Sequence, residues 1–391
     1  MSRVLRCSGY DLVVNDIVRA EGCRLFDASG RSYVDFEAGV WCAALGHNPP
    51  RLRDAIAAQL ERIAHIGYRY TTEVVERAAS DLFAVLEMEI GQCVFLSSGS
   101  EAVEFAVQAA RSVSDRPLAL GFADVFLGSY GMIRTRPPDA WWQFDVFACD
   151  GCPDANDCDP ACPRLAEIPF ERIGPFVFEP GCSSGLVRLP AAGPVREIAR
   201  RIRAAGGLLV VNEVTAGMGR TGAWFGHQHY DLTPDLVAVG KGLGNGYPVS
   251  AIALTGEVAR RLAEAGFRYA QSHQNDPLGC AVATEVIGAL RDEELIERSR
   301  RVGAELLERL SGLAARHETI AELRGRGLMI AIELRCDVPA IEIYRELLDD
   351  GLIVGCKPAF HLLRLMPPLT LPDRDACLLV DALDSILSRR G

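Results

Sequence analysis

The chain has 391 residues, 49% hydrophobic and 24% charged, proportions of a globular protein with a large buried core rather than a disordered or fibrous one. A net charge of -11 and a pI near 5.3 give no basis for non-specific nucleic-acid binding or for attraction to anionic membranes. MSRVLRCSGYDLVV lacks a signal-peptide core, no apolar run approaches spanning length, and 13 scattered cysteines suit reduced thiols, so a soluble cytoplasmic protein is expected.

In chain order, CRLFDASGRSYVDFEAG reads as a hairpin, with Leu25, Tyr33, Val34 and Phe36 alternating about a turn at 27–30. A loop over 46–50 leads to a helix with Leu52, Ala55, Ile56 and Leu60 at helical spacing and Pro50 near its start. In CVFLSSGSEAVEFAVQAARSV, residues 93–96 make a buried strand, Ser98 and Glu101 have capping-box spacing, and Val103, Ala106, Val107 and Ala110 continue as a helix. The small residues between them leave the N–H groups of Gly99, Ser100 and Glu101 at the positive end of the helix dipole. That is a seat for a phosphate, although in isolation most such turns are merely caps.

ALGF reads as a strand and ADVFLGSYGM as a loop carrying Phe126 ahead of Gly128. WWQFDVFACDGCPDANDCDPACPRLAE then interrupts the pattern with Cys149, Cys152, Cys158 and Cys162. Thiolates this close can hold zinc. The C-x2-C-x5-C-x3-C spacing nevertheless departs from paired knuckles, and the Asp- and Pro-rich filler suits a surface insert (149–162) with free or locally paired thiols, so no metal is assigned.

An α/β rhythm follows: a strand in PFVFEP, a helix over 194–205 stopped by Gly206, a nearly all-apolar strand over 208–214, and short strands at 236–239 and 250–254. This implies a mostly parallel sheet whose strand ends gather Asn212, Glu213 and Lys241 in one crevice. His227 and His229 read as packed or solvated rather than as a metal pair. A long helical region over 281–315, with Leu295, Val302, Leu306, Leu310 and Leu313 on one face, leads into a second domain built from smaller alternating pieces. The expected division is an N-terminal segment (1–50) packed with the small domain, a large domain (51–285) and a small C-terminal domain (286–391).

Lys241 and Lys357 are the only lysines; every other Lys or Arg position is arginine. Arginine cannot become a nucleophilic amine, whereas a lysine in a dry pocket can, and it then forms a Schiff base with a carbonyl. A phosphate seat at Gly99 and Ser100, a flat aromatic at Phe126, a polar strand end at Asn212 and an amine at Lys241 together meet the needs of pyridoxal phosphate.

Through SSGSEAVEFAVQAAR, NEVTAGMGRTGAWFGHQHYDLTPDLVAVGKGLGNGYPVSA, QSHQNDPLGCA and LLRLMPPL, the chain resembles the class III (ω-type) aminotransferases of the fold type I pyridoxal-phosphate superfamily, over about residues 22–371. The resemblance implies an α/β architecture with a mostly parallel seven-stranded sheet, a smaller α+β domain and a homodimer sharing its active sites. It implies that Lys241 bonds the cofactor's aldehyde and shuttles a proton, and that Ser98, Gly99 and Ser100 cradle the phosphate. Phe126 would stack on the ring, Asn212 would face the ring nitrogen, and Ser272 would reach the phosphate of the neighbouring subunit. Arg364 would clamp a substrate carboxylate, with Trp41 as a second substrate-side residue.

Three departures bear on the reaction. Asn212 stands where the family usually has the aspartate that keeps the pyridine nitrogen protonated. Leu127 replaces a histidine after the stacking aromatic, and the family's Glu-Pro-x-x-x-Glu-Gly-Gly reads EPGCSSGL from Glu179. The expectation is therefore an aminotransferase of secondary metabolism acting on an amino acid or amine. The alternative is elimination, replacement or carbon–carbon bond formation at the β or γ carbon of an amino acid.

Overall fold

The computed structural model describes residues 3–5, 7, 12–88, 91–152, 155–181 and 185–390; Cys182, Ser183 and Ser184 of the EPGCSSGL stretch lie outside them. The chain opens with three antiparallel strands, β1 (Ile17–Glu21), β2 (Arg24–Asp27) and β3 (Ser32–Asp35), the last two forming the expected hairpin.

Seven strands then form the central sheet: β4 (Gly91–Leu96), β5 (Leu118–Phe122), β6 (Trp141–Phe144), β7 (Ile173–Phe178), β8 (Leu208–Asn212), β9 (Leu236–Val239) and β10 (Ser250–Thr255). Their order is β4-β10-β9-β8-β7-β5-β6, and only β10 runs against its neighbours. β5, β7, β8 and β9 are buried at every position, which explains why they read as continuous apolar runs rather than as alternation. Each fully buried Val, Leu or Phe there stabilises the fold by roughly 1.5–3 kcal/mol. The Gly99–Ser112 helix lays Ala102, Val103, Ala106, Val107 and Ala110 on this core.

The C-terminal strands β11 (Ile320–Arg326), β12 (Met329–Leu334), β14 (Gly355–Lys357) and β15 (Leu362–Leu365) form a sheet in the order β11-β12-β15-β14, while β13 (Leu352–Ile353) pairs in parallel with β3. Val34 and Phe36 accordingly share one apolar cluster with Leu306, Leu310, Ile330 and Leu379.

Two details differ from the sequence reading. The region 281–315 is two helices, Pro277–Asp292 and Leu295–Ala314, because Glu294 takes a left-handed φ of 51° that no continuous helix accommodates. In the Pro50–Arg62 helix Leu60 is exposed and Gln59 is buried, its amide donating to Ile63 O at 2.7 Å.

Candidate active site

Three parallel strands end side by side and deliver the polar residues: Glu179 follows β7, Asn212 closes β8, and Lys241 follows β9 after Gly240. Backbone packs closely here. A Cβ on Gly99 would lie 2.5 Å from Val214 Cγ1, and one on Gly240 would lie 3.2 Å from Gly99 Cα. Only glycine therefore lets the helix start, the end of β8 and the lysine turn converge.

Lys241 itself has a φ of 40°, a conformation costing about 1–2 kcal/mol in a residue with a Cβ. Its Nζ donates to Thr215 Oγ1 at 2.6 Å and sits 4.6 Å from the centre of the Trp41 ring. Burial pulls its pKa from 10.5 to about 8; Glu179 and Cys42 oppose the shift, and Arg364 and Arg220 add to it. The amine is thus far more readily neutral than a surface lysine, as a nucleophile requires.

Trp41 joins this amine to Arg364. The Arg364 guanidinium lies 4.5 Å from the centre of the same ring, and Trp41 Nε1 donates to Glu37 Oε1 at 3.3 Å. Arg364 is buried on β15 and already holds a carboxylate. Its Nε donates to Glu37 Oε1 at 3.0 Å, its Nη2 to Glu37 Oε2 at 2.7 Å, and its Nη1 to Gly185 O at 3.2 Å. Glu37 was not singled out in the sequence, and neither was Thr215.

Ser98 caps the Gly99–Ser112 helix, accepting from Glu101 N at 3.3 Å, while Glu101 Oε2 accepts from Ser97 N at 3.1 Å. This removes Glu101's N–H from the expected phosphate seat. The first-turn N–H groups of Gly99 and Ser100, which have no intrahelical acceptor, face the dipole's positive end. Ser100 Oγ accepts from Ser129 N at 3.1 Å, anchoring the loop that carries Phe126.

Phe126 is 46% exposed, leaving ring surface free for stacking, and its N–H donates to Glu179 Oε2 at 3.3 Å. Asn212 lies beside it. Asn212 Oδ1 accepts from Val214 N at 3.2 Å and Nδ2 donates to Phe126 O at 3.4 Å. This network fixes the amide's orientation: the oxygen is engaged, and the remaining Nδ2 hydrogen is what Asn212 can offer a ligand.

Ser272 is not gathered with these groups; it lies on an exposed turn. Glu213 points away as well, accepting from Gly226 N at 2.8 Å, His227 N at 2.7 Å and His227 Nδ1 at 2.8 Å, so the histidine-rich loop is packed. His229 bonds Thr221 O at 3.1 Å. Cys149, Cys152, Cys158 and Cys162 are all unpaired. Burial pushes the Cys158 thiol up to about 11, with Cys162, Cys149 and Cys152 adding to the rise.

The donor set is that of a fold type I pyridoxal-phosphate enzyme: a strand-end amine in a dry pocket, a helix N-terminus for a phosphate and a half-exposed ring beside a polar strand end. The class III aminotransferase model matches residues 8–130 and 156–387, and the chain belongs to that family. The interruption takes in Cys149 and Cys152. The chain is 30% identical to the acetylornithine aminotransferase of Methanosarcina mazei, over 94% of this chain and 90% of that one. It is 29% identical to human mitochondrial alanine–glyoxylate aminotransferase 2, over 93% and 80%.

Among solved structures it is similar to a pyridoxal-phosphate-bound amine transaminase from an uncultivated Pseudomonas species, with 25% identity, a TM-score of 0.86 and coverage of 100% and 99%. The protein is a pyridoxal-phosphate-dependent, class III aminotransferase-like enzyme acting on amino acids or amines. No helix among the described residues is long and apolar enough to cross a membrane.

Proposed function

We propose that this enzyme transfers the amino group of a carboxylate-bearing amino acid, with Lys241 as the catalytic amine. The observation that carries the reading is the bridge from Lys241 through Trp41 to Arg364, which sets an amine and a carboxylate-binding guanidinium against one aromatic ring. When bound, pyridoxal phosphate supplies an electron-withdrawing ring and an aldehyde carbon.

The chain's own residues divide the remaining work. Gly99 and Ser100 would hold the phosphate at the helix start, with Ser98 fixing that turn. Phe126 would stack on the ring, and Asn212 would offer its free Nδ2 hydrogen to the ring nitrogen. Lys241 Nζ, steadied by Thr215 Oγ1, takes up and returns the proton at the substrate carbon. Arg364 orients the substrate carboxylate once Glu37 releases it, against the flat wall of Trp41.

Ser272 serves a neighbouring subunit. Leu60, Ile63, Tyr68 and Tyr70 are exposed by 37% or more on the segment that His65 ties to the Ser272 turn, and this apolar edge suits a homodimer face. The division into segments 1–50, 51–285 and 286–391 is supported by the pairing of β3 with β13 and their shared apolar cluster.

A second reading, elimination or replacement at the β or γ carbon, is favoured by Asn212. An amide donating to the ring nitrogen stabilises the unprotonated ring, a weaker electron sink than the one an aspartate maintains. Asn212→Asp exchanges a neutral hydrogen bond for a charge-assisted one, a difference of ~1.4 kcal/mol or about tenfold in rate. Spectroscopic titration with amino donors, with products identified by mass spectrometry, separates the two readings. The transfer reading expects conversion to the pyridoxamine form, about tenfold faster in Asn212→Asp. Unsaturated products with no pyridoxamine form would replace it by the second reading.

A further inference from the structure

Away from Lys241, the donor atoms of His65, His273 and Asp276 all lie within 4.8 Å of one another, the one such cluster of three among the described residues. His65 Nδ1 and Asp276 Oδ1 are 2.6 Å apart, and the rings of His65 and His273 are 4.6 Å apart between centres, tilted by 47°. The three come from two separate stretches, the segment after the Pro50–Arg62 helix and the turn that carries Ser272.

Asp276 stands at the N-cap of the Pro277–Asp292 helix yet makes no cap hydrogen bond. An aspartate there ordinarily contributes about 1 kcal/mol by capping. Its carboxylate is turned to the histidines instead, beside a small cavity lined by Ser97, Tyr247, His273 and Asp276.

We propose that His65, His273 and Asp276 form a binding site for a divalent transition-metal ion. Two imidazoles and one carboxylate are a recurrent donor set for such ions, leaving positions open to water. With metal–donor distances of ~2.0–2.2 Å, neighbouring donors sit roughly 3.4 Å apart. Small side-chain rotations therefore replace the His65–Asp276 hydrogen bond by a shared ion. In the single chain His65 and Asp276 retain 42% and 16% side-chain exposure, and the site borders the edge assigned above to the homodimer face. Once bound, the ion staples the 60–72 segment to the Ser272 turn.

The test is a Co2+ titration of metal-free holoenzyme, followed by calorimetry and difference absorption, on the wild type and on His65→Ala, His273→Phe and Asp276→Asn. Thermal melts and size-exclusion chromatography confirm folding and assembly of each variant. One ion per chain is expected, without thiolate-to-cobalt charge transfer, with affinity reduced at least tenfold in each single variant and lost in His65→Ala/His273→Phe. A cobalt-dependent rise in melting temperature is expected in the wild type alone. Absence of binding overturns the proposal. So does binding unchanged in the double variant, or cobalt accounted for entirely by thiolate bands from the cysteine insert.

Discussion

Lys241→Met, which keeps the bulk of the lysine stem and removes the amine, is expected to lower kcat by about 10²–10⁴-fold from lost proton transfer alone, and further through loss of covalent cofactor attachment. The same substitution is expected to stabilise the cofactor-free protein at neutral pH. Lys241 is half-buried, with its amine enclosed, and its pKa falls from 10.5 in the unfolded chain to about 8 in the fold. Below about pH 8 it is charged in both states and the wild type bears the full cost of a buried ammonium, about 3 kcal/mol from the two pKa values. As pH rises from 8 to 10.5 the folded state releases its proton first, and the wild type's deficit relative to Lys241→Met shrinks. Denaturant melts of both proteins across that window check the sign. A deficit that grew with pH would mean that the amine is stabilised in its charged form.

Arg364 and Glu37 carry the second large effect. Arg364→Leu is expected to cut kcat/KM for carboxylate-bearing donors by about a hundredfold, the value of losing two charge-assisted hydrogen bonds less the Glu37 contact they replace. Amines without a carboxylate should be little affected. The fold suffers too: Glu37, with 17% side-chain exposure, loses its bidentate partner, and stranding such a carboxylate costs about 3 kcal/mol. Glu37→Gln works in the opposite direction. With the internal competitor neutralised, KM for amino acids should fall by about tenfold while that for amines holds. Steady-state kinetics with paired amino acid and amine donors measures both. An unchanged amino acid to amine ratio in the two variants would make the pair a structural tie and remove Arg364 from substrate binding.

The parts of this site legible in the sequence are those whose chemistry is local. Strand 236–239 and the apolar run read as a strand over 208–214, which the structure ends at Asn212, are closed by polar residues, and a lysine in a chain of arginines stands out whatever surrounds it. Ser98, Gly99 and Glu101 spell a helix start over four residues. What stayed hidden depends on long-range contact. Glu37 meets Arg364 across 327 residues, and nothing in DFEAGVW marks its carboxylate as an internal partner for a distant guanidinium. Thr215 became visible only when the turn after β8 brought its hydroxyl to Lys241 Nζ. The break at Glu294 is a single left-handed residue inside an otherwise unbroken helical pattern, and periodicity over a long window averages it away. His65, His273 and Asp276 were passed over for the same reason as Glu37, since their grouping exists only after two separated stretches pack together.

The account rests on Lys241 being the residue that carries the cofactor. Borohydride reduction of the holoenzyme followed by proteolysis and mass spectrometry reads this directly, because reduction converts a labile imine into a stable phosphopyridoxyl amine. The predicted result is that label on the peptide containing Lys241 and its absence from the Lys241→Met protein. Label on Lys357, or no label on either lysine, would contradict it.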